Sequence, residues 1–203
     1  MAFYNMESNL SNFQIGFSWA TTKHFTIWAE GYGNAANAIA ESLLQRQRFP
    51  DYDAYPVVFC YRHAIELYMK GIIYDTIIIL KFENKDNLIS KLIKSHDLMS
   101  LFNKFKQILV SLFPDDQSLL MEITKIDEFL EEFSIIDKES FSFRYPINNS
   151  GEPNFSKALL LNLESIKIRS NSILEKFETI SFMIEGIRST VNDIIANLRF
   201  DDF

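Results

Sequence analysis

Arg62, His63, Glu66 and Lys70 can hold anions or move protons, and all four lie in the stretch FCYRHAIELYMKGII, residues 59–73. On an α-helix, at about 100° per residue, Glu66 stands about 40° from Arg62, Lys70 about 80° and His63 about 100°. One sector of the helix carries all four. The remaining circumference holds Val57, Val58, Ala64, Ile65, Met69 and Ile72 among other apolar residues, so the helix should be enclosed by protein with its polar groups facing one place. Burying such charges unpaired costs several kcal/mol each. They must pair with one another, meet partners from elsewhere or line a wet cleft. Glu66 is four residues from both Arg62 and Lys70, so a buried charge ladder could satisfy itself and fix helix register. In the second reading the ladder is one wall of a site. Glu66 then holds the cations, and Arg62 or His63 acts on a ligand; cations beside an imidazole suit a phosphate-bearing one.

Two other places can converge on that wall. SHDL puts His96 and Asp97 in the first turn of a helix, where an acid complements the exposed amides and the helix dipole. Capping explains Asp97 but not His96, because a cation is disfavoured at a helix N-terminus. FRYP places Arg144 before Tyr145 and Pro146, and the proline biases Tyr145 toward an extended backbone. Arg144 either reaches the core site from that segment or sits in solvent. His24 has no companion and is background.

The elements that must position these residues read as helices almost throughout. TTKHFTIWAEGYGNAANAIAESLLQRQRF starts a helix at Thr21 or Thr22 that stops by Pro50, with Ala29, Gly33, Ala36 and Ala40 on one side for close packing. Pro56 suits the first turn of the next helix, which runs through the opening motif toward Leu80; its tail, IIYDTIII, reads as helix rather than strand for lack of a break. KFENKDNLISKLIK reads as a charged, exposed connection, and Ser95 as a cap. Leu98, Leu101, Phe102, Phe105, Leu109 and Leu112 then share a face, and DQSLLMEITKIDEFLEEF follows Pro114 as another amphipathic helix. In SFSFRYPINNSGEPNF, Phe141, Phe143 and Tyr145 alternate with polar residues and NNSG supplies turn residues, which predicts a small β-hairpin or extended flap near 140–155. From residue 157 to 198, a seam runs in steps of four and three from Leu159 and Leu163 to Ile194 and Leu198, interrupted only by Ser170. It is either one helix overhanging the body, which would pair with another chain, or two helices broken near RSNS.

The whole reading is an all-α protein: one antiparallel helical bundle over residues 1–203, with residues 1–20 as a leader. At 203 residues, with 47% hydrophobic residues and 19 Phe, the chain can fill a substantial core. A net charge of −7 and a pI near 5.0 disfavour coating of nucleic acid by bulk electrostatics, though not a local basic cleft. The single cysteine, Cys60, allows neither an internal disulfide nor a cysteine-cluster metal site and suits a reducing cytoplasm. MAFYNMESNLSNFQ lacks the basic and apolar regions of a signal peptide, and GIIYDTIIIL is too short to span a membrane.

The blocks YRHAIELYMKGII, SHDLMSL and FRYP, in this order within a helical chain of this length, resemble the HEPN superfamily, specifically prokaryotic proteins carrying an RHAIELxxK … HDL … FRYP pattern. The resemblance covers roughly residues 25 to 195. It implies a helical bundle, frequent homodimerisation through helices, and association with phage defence, toxin–antitoxin or RNA-cleaving stress systems that include a cognate partner protein. Many such proteins are ribonucleases that need no metal or cofactor and use an Arg-x(4–6)-His motif. No arginine here precedes a histidine at that interval; the nearest cation is Lys91, ahead of His96, and lysine cannot fork a phosphate as arginine does. An enzyme built on this chain would therefore use His63 and His96 for proton transfer, Arg62 and Arg144 for the phosphate and Glu66 as orienter, with Lys70 and Tyr145 contacting an RNA or nucleotide ligand. The competing expectation is a non-catalytic nucleotide-binding or assembly module whose polar cluster is structural.

Overall fold

The computed structural model describes residues 23–46, 48–80, 84–137, 142–155 and 157–200, with side chains described from Phe25 to Ile194. The expected leader, Phe141 and the side chains of His24 and Leu198 lie outside the described residues. Six α-helices account for most of the rest: α1 (Lys23–Leu44), α2 (Tyr55–Ile79), α3 (Lys85–Lys94), α4 (Leu98–Leu112), α5 (Gln117–Ile136) and α6 (Leu163–Phe200), with a 3-10 turn at Asp51–Ala54 before α2. The protein is an all-α helical bundle.

Helix α2 is the axis of the bundle, packed by α1, α3, α4 and α6. Its first turn holds Pro56, where the missing N–H costs nothing. The run IIYDTIII stays helical to Ile79 and is buried at Ile72, Ile73 and Ile77, because enclosure on all sides outweighs the modest strand preference of β-branched residues. Contacts fix the directions. Gly71 meets Phe25, His63 meets Tyr32, and Tyr61 donates to Asn37, so α1 runs antiparallel to α2. Asn37 and Asn171 exchange side-chain hydrogen bonds of 2.9 and 2.7 Å, and Thr26 lies near Ser181, so α1 is antiparallel to α6 too. The small-residue side of α1 does the work its composition suggests. A Cβ on Gly33 would come within 3.0 Å of Leu174 Cδ1, and one on Gly71 within 3.0 Å of Phe25 Cβ.

The core is aromatic at its centre. Tyr68 of α2 stacks on Phe177 of α6, and Phe177 meets Phe105 of α4, which stacks on Phe102. Each such ring buried from water contributes roughly 1.5–3 kcal/mol. Helices α4 and α5 are started by aspartates: Asp97 accepts from Ser100 N at 2.6 Å and Asp116 from Leu119 N at 2.9 Å, each satisfying an otherwise orphaned donor.

Three local expectations change. The connection expected over KFENKDNLISKLIK contains α3, whose Leu92 is buried and whose Asp86 and Lys91/Lys94 sit at the ends the helix dipole favours. Ser95 caps nothing on α4; it is the extended C-cap of α3, and Asp97 is the N-cap. Residues 142–155 form no strands. They make a tight turn in which Asn148 Oδ1 accepts from Ser150 N and Glu152 N, Gly151 adopts φ +80°, and one antiparallel bridge joins Ile147 to Pro153. Pro146 and Pro153 lack the donors a longer ladder would need.

Helix α6 passes through RSNS without a break. Ser170 is fully buried where the seam lacks an apolar residue, and the Asn37–Asn171 pair holds the next position. Leu159, expected to open the seam, precedes the helix and is exposed. At 38 residues α6 is about 57 Å long. Its seam is buried at Leu163, Ile173, Phe177, Ile180 and Ile184 and half-buried at Ile166, while Phe182 is 70% and Ile194 53% exposed. No helix among the described residues is long and apolar enough to cross a membrane.

Candidate functional site

Arg62, Glu66 and Lys70 occupy successive turns of α2 and are sealed from solvent. Arg62 Nη1 donates to Glu66 Oε2 at 2.8 Å and Lys70 Nζ to Glu66 Oε1 at 2.8 Å. The ladder does not close on itself, however. Arg62 Nε lies 3.2 Å from Asp137 Oδ2 and also donates to the Asp137 carbonyl, while Nη2 donates to the His96 carbonyl at 2.6 Å. Lys70 Nζ reaches the Ile93 carbonyl at 3.0 Å. Asp137, itself buried, accepts from Ser142 N through Oδ1. Two cations thus face two carboxylates in one sealed cluster.

The backbone partners explain why the cations stand where they do. Ile93 is in the last turn of α3 and Asp137 is the C-cap of α5. Helix C-termini expose unpaired carbonyls and the negative end of the dipole, where a cation is favoured. Arg62 and Lys70 therefore cap two helices from a third and tie α2 to the α3–α4 junction and the end of α5. Burial alone would raise the Glu66 pKa, but the Lys70 hydrogen bond and charge, with Arg62 and His96, outweigh it and hold the carboxyl below its ordinary range.

His96 sits at the mouth of this cluster. Its side chain is 51% exposed, and Nδ1 lies 2.9 Å from Glu66 Oε1. Because Glu66 is ionised it can only accept, so Nδ1 carries the proton and Nε2 is the basic nitrogen of the neutral ring. A carboxylate thus fixes both the orientation and the tautomer of a solvent-accessible imidazole. General acid–base chemistry asks for that arrangement.

His63, Arg144 and Tyr145 form a second set, joined by ring contacts. The His63 ring lies parallel to Phe59 at 5.6 Å and meets the edge of Tyr32 at 4.5 Å. The Arg144 guanidinium carbon is 5.6 Å from the Phe59 ring centre and 5.7 Å from that of Tyr145. Burial pushes the His63 pKa below its ordinary value; Glu66 opposes this, and Lys70, Arg62 and Arg144 add to it. The two sets are connected through Asp137, whose carboxylate holds Ser142 two residues before Arg144.

The structure brings Arg62, Glu66, Lys70 and His96 into one hydrogen-bonded unit, and His63, Arg144 and Tyr145 into an adjacent one. Arg62 is fully buried, with bonds to Glu66, Asp137 and His96, so in this conformation it positions its neighbours and touches no ligand. Arg144 and Tyr145 are exposed. Asp137 was missed from sequence, although a signal existed: an acid directly after the last apolar turn of a helix sits at the end the dipole disfavours, which implies a cationic partner. Lys91, the cation five positions before His96, is exposed on α3. Cys60 is a half-buried free thiol, and burial raises its pKa, which makes it a poor nucleophile. Among the described residues no three His, Cys, Asp or Glu side chains are grouped to hold a metal ion. No protein-family model, characterised protein or solved structure matches this chain.

Proposed function

We propose that this chain is a HEPN-like protein of a prokaryotic defence, toxin–antitoxin or stress system, cytoplasmic and dimeric, that cleaves RNA without a metal through His96, His63 and Arg144. The observation that carries this reading is the Glu66–His96 pair: a sealed carboxylate 2.9 Å from the Nδ1 of a half-exposed imidazole. Cleavage needs a base for the 2′-hydroxyl, an acid for the leaving 5′-oxygen and a cation for the charge on phosphorus. His63, kept neutral by burial, takes the 2′-hydroxyl proton as O2′ bonds to phosphorus. The P–O5′ bond breaks. His96 enters this step as the imidazolium, with Nδ1–H on Glu66, and gives its Nε2 proton to the 5′-oxygen, so that a 2′,3′-cyclic phosphate and a 5′-hydroxyl result. Arg144 steadies the phosphate. Arg62 and Lys70 hold the α3–α4 junction that carries His96. The two imidazoles can meet within one chain or across a dimer formed through α6, whose exposed Phe182 and Ile194 suit a helical partner.

A second reading rests on a different observation. Arg62, Lys70, Glu66 and Asp137 satisfy one another and the helix ends without any ligand, as a purely structural ladder would. The chain would then be a nucleotide-binding or assembly module that holds a cognate partner. Incubating the protein with labelled transfer RNA and single-stranded RNA in EDTA, beside His96→Ala and His63→Ala, separates the two. Cleavage lost in both variants with the fold retained supports the enzyme; an inert wild type supports the module.

A further inference from the structure

The row of π systems at the rim has more order than anchoring a loop requires. It draws on three parts of the fold: Tyr32 from α1, Phe59 and His63 from α2, and Arg144 and Tyr145 from the α5–α6 connection. That connection is anchored elsewhere. Phe143 is 7% exposed, packed on Tyr55 and Phe155, and Ser142 N is held by Asp137. Tyr145, two residues further along the chain, stays 52% exposed. Its backbone is nevertheless fixed. Pro146 restricts it to an extended conformation, Asn154 Nδ2 donates to its carbonyl at 2.5 Å, and the Ile147–Pro153 bridge closes the turn behind it. An aromatic ring that is exposed, preset and backed by a guanidinium pays little ordering cost when a flat partner lands on it.

We propose that Tyr145, backed by Arg144 and the ring cluster of Phe59, His63 and Tyr32, seats one unpaired base of single-stranded RNA. The proposal rests on the RNA reading above and specifies its substrate class. A nucleobase offers a π face to a tyrosine ring, and arginine both stacks and meets the adjoining phosphate. A base paired within a duplex has its faces covered by its neighbours, so the platform selects for loops and single strands. The acidic surface, with its net charge of −7, fits such a mode, since stacking does not rely on a broad phosphate-binding face.

The test uses a short single-stranded RNA carrying 2-aminopurine with 2′-O-methyl groups throughout, which blocks 2′-hydroxyl attack and lets binding be read whether or not the protein cleaves. The wild type quenches the fluorescence on binding. Tyr145→Ala binds roughly 5- to 150-fold more weakly, from about 1–3 kcal/mol per stacked base, Tyr145→Phe binds like the wild type, and the same sequence as a duplex neither binds nor changes its signal. Equal affinity of Tyr145→Ala and the wild type, equal binding of duplex, or no binding of the single strand overturns the platform. Natural RNA separates the two ideas. His96-dependent cleavage unaffected by Tyr145→Ala leaves the enzyme standing without the platform, while Tyr145-dependent quenching by a protein that cleaves nothing leaves the platform standing without the enzyme.

Discussion

Arg62 and Arg144 belong to the same residue type and flank the same patch of the bundle, yet they do opposite work. Arg62 is sealed, with its nitrogens given to Glu66, Asp137 and the His96 carbonyl. Arg144 is exposed and lies over rings. The histidines divide similarly. His96 is an accessible ring fixed by a buried acid, and His63 is a half-buried ring held between aromatics. What separates the pairs is the supply of unsatisfied helix-end carbonyls. Where α3 and α5 end against α2, cations are consumed in capping; beyond those ends Arg144 lies over the Phe59 and Tyr145 rings. The sealed ladder therefore builds the patch, and the rim is where chemistry is available.

The largest effect should come from the ladder. Arg62→Met keeps the apolar stem but takes the guanidinium away from Glu66 and Asp137 in a dry site, and breaking a buried pair on one side costs about 3–5 kcal/mol. Thermal unfolding should show a Tm lower by roughly 6–20 °C; a drop under about 2 °C would mean that the ladder does not hold the fold. Asp137→Asn leaves an amide near Arg62 in place of a carboxylate, so a smaller loss of about 1–3 kcal/mol is expected in urea unfolding. If it equals the loss for Arg62→Met, Asp137 rather than Glu66 is the main counter-charge.

Acidity sharpens the comparison further. Glu66 has its folded pKa below the ordinary value of 4.5, so its stabilisation is present above that pH and is lost as pH falls through the folded value. His63 has its folded pKa below 6.5, so below that pH the unfolded chain binds the proton more readily and stability falls on acidification. Urea midpoints measured from pH 8 down to pH 5 should decline below about pH 6.5 in the wild type, and the decline should flatten in His63→Leu. An identical profile in the variant would remove His63 as the titrating group.

The smallest structural effect belongs to His96→Ala. Its ring is half exposed, so stability should change by less than about 1 kcal/mol, while an acid–base role predicts roughly 10²–10⁴-fold loss of RNA cleavage. That inversion, little stability against much activity, is what distinguishes rim from ladder.

The sequence showed the polar sector of α2 clearly, because three charged residues at four-residue spacing on an otherwise apolar helix can be placed by angle alone. The enclosed helix and the α6 seam were legible for the same reason. Less legible were features set by long-range partners. Asp137 pairs with a residue 75 positions away, and nothing local names that partner. Helix α3 hid in a charged segment because its buried face is narrow, with Leu92 fully buried and Ile89 half-buried. The continuity of α6 through Ser170 depends on α1, whose Asn37 meets Asn171. The alternation of aromatic and polar residues suggests a hairpin, but Pro146 and Pro153 have no N–H to donate, and over residues 142–155 a single bridge, Ile147–Pro153, forms.

The most direct measurement is cleavage of labelled single-stranded RNA in EDTA by the wild type and His96→Ala at matched Tm, with product ends identified. Rapid cleavage to 2′,3′-cyclic phosphate ends by the wild type, with the variant slowed at least about 10²-fold at unchanged Tm, is the predicted result. An inert wild type, or a variant that cleaves equally well, contradicts a functional rim centred on His96.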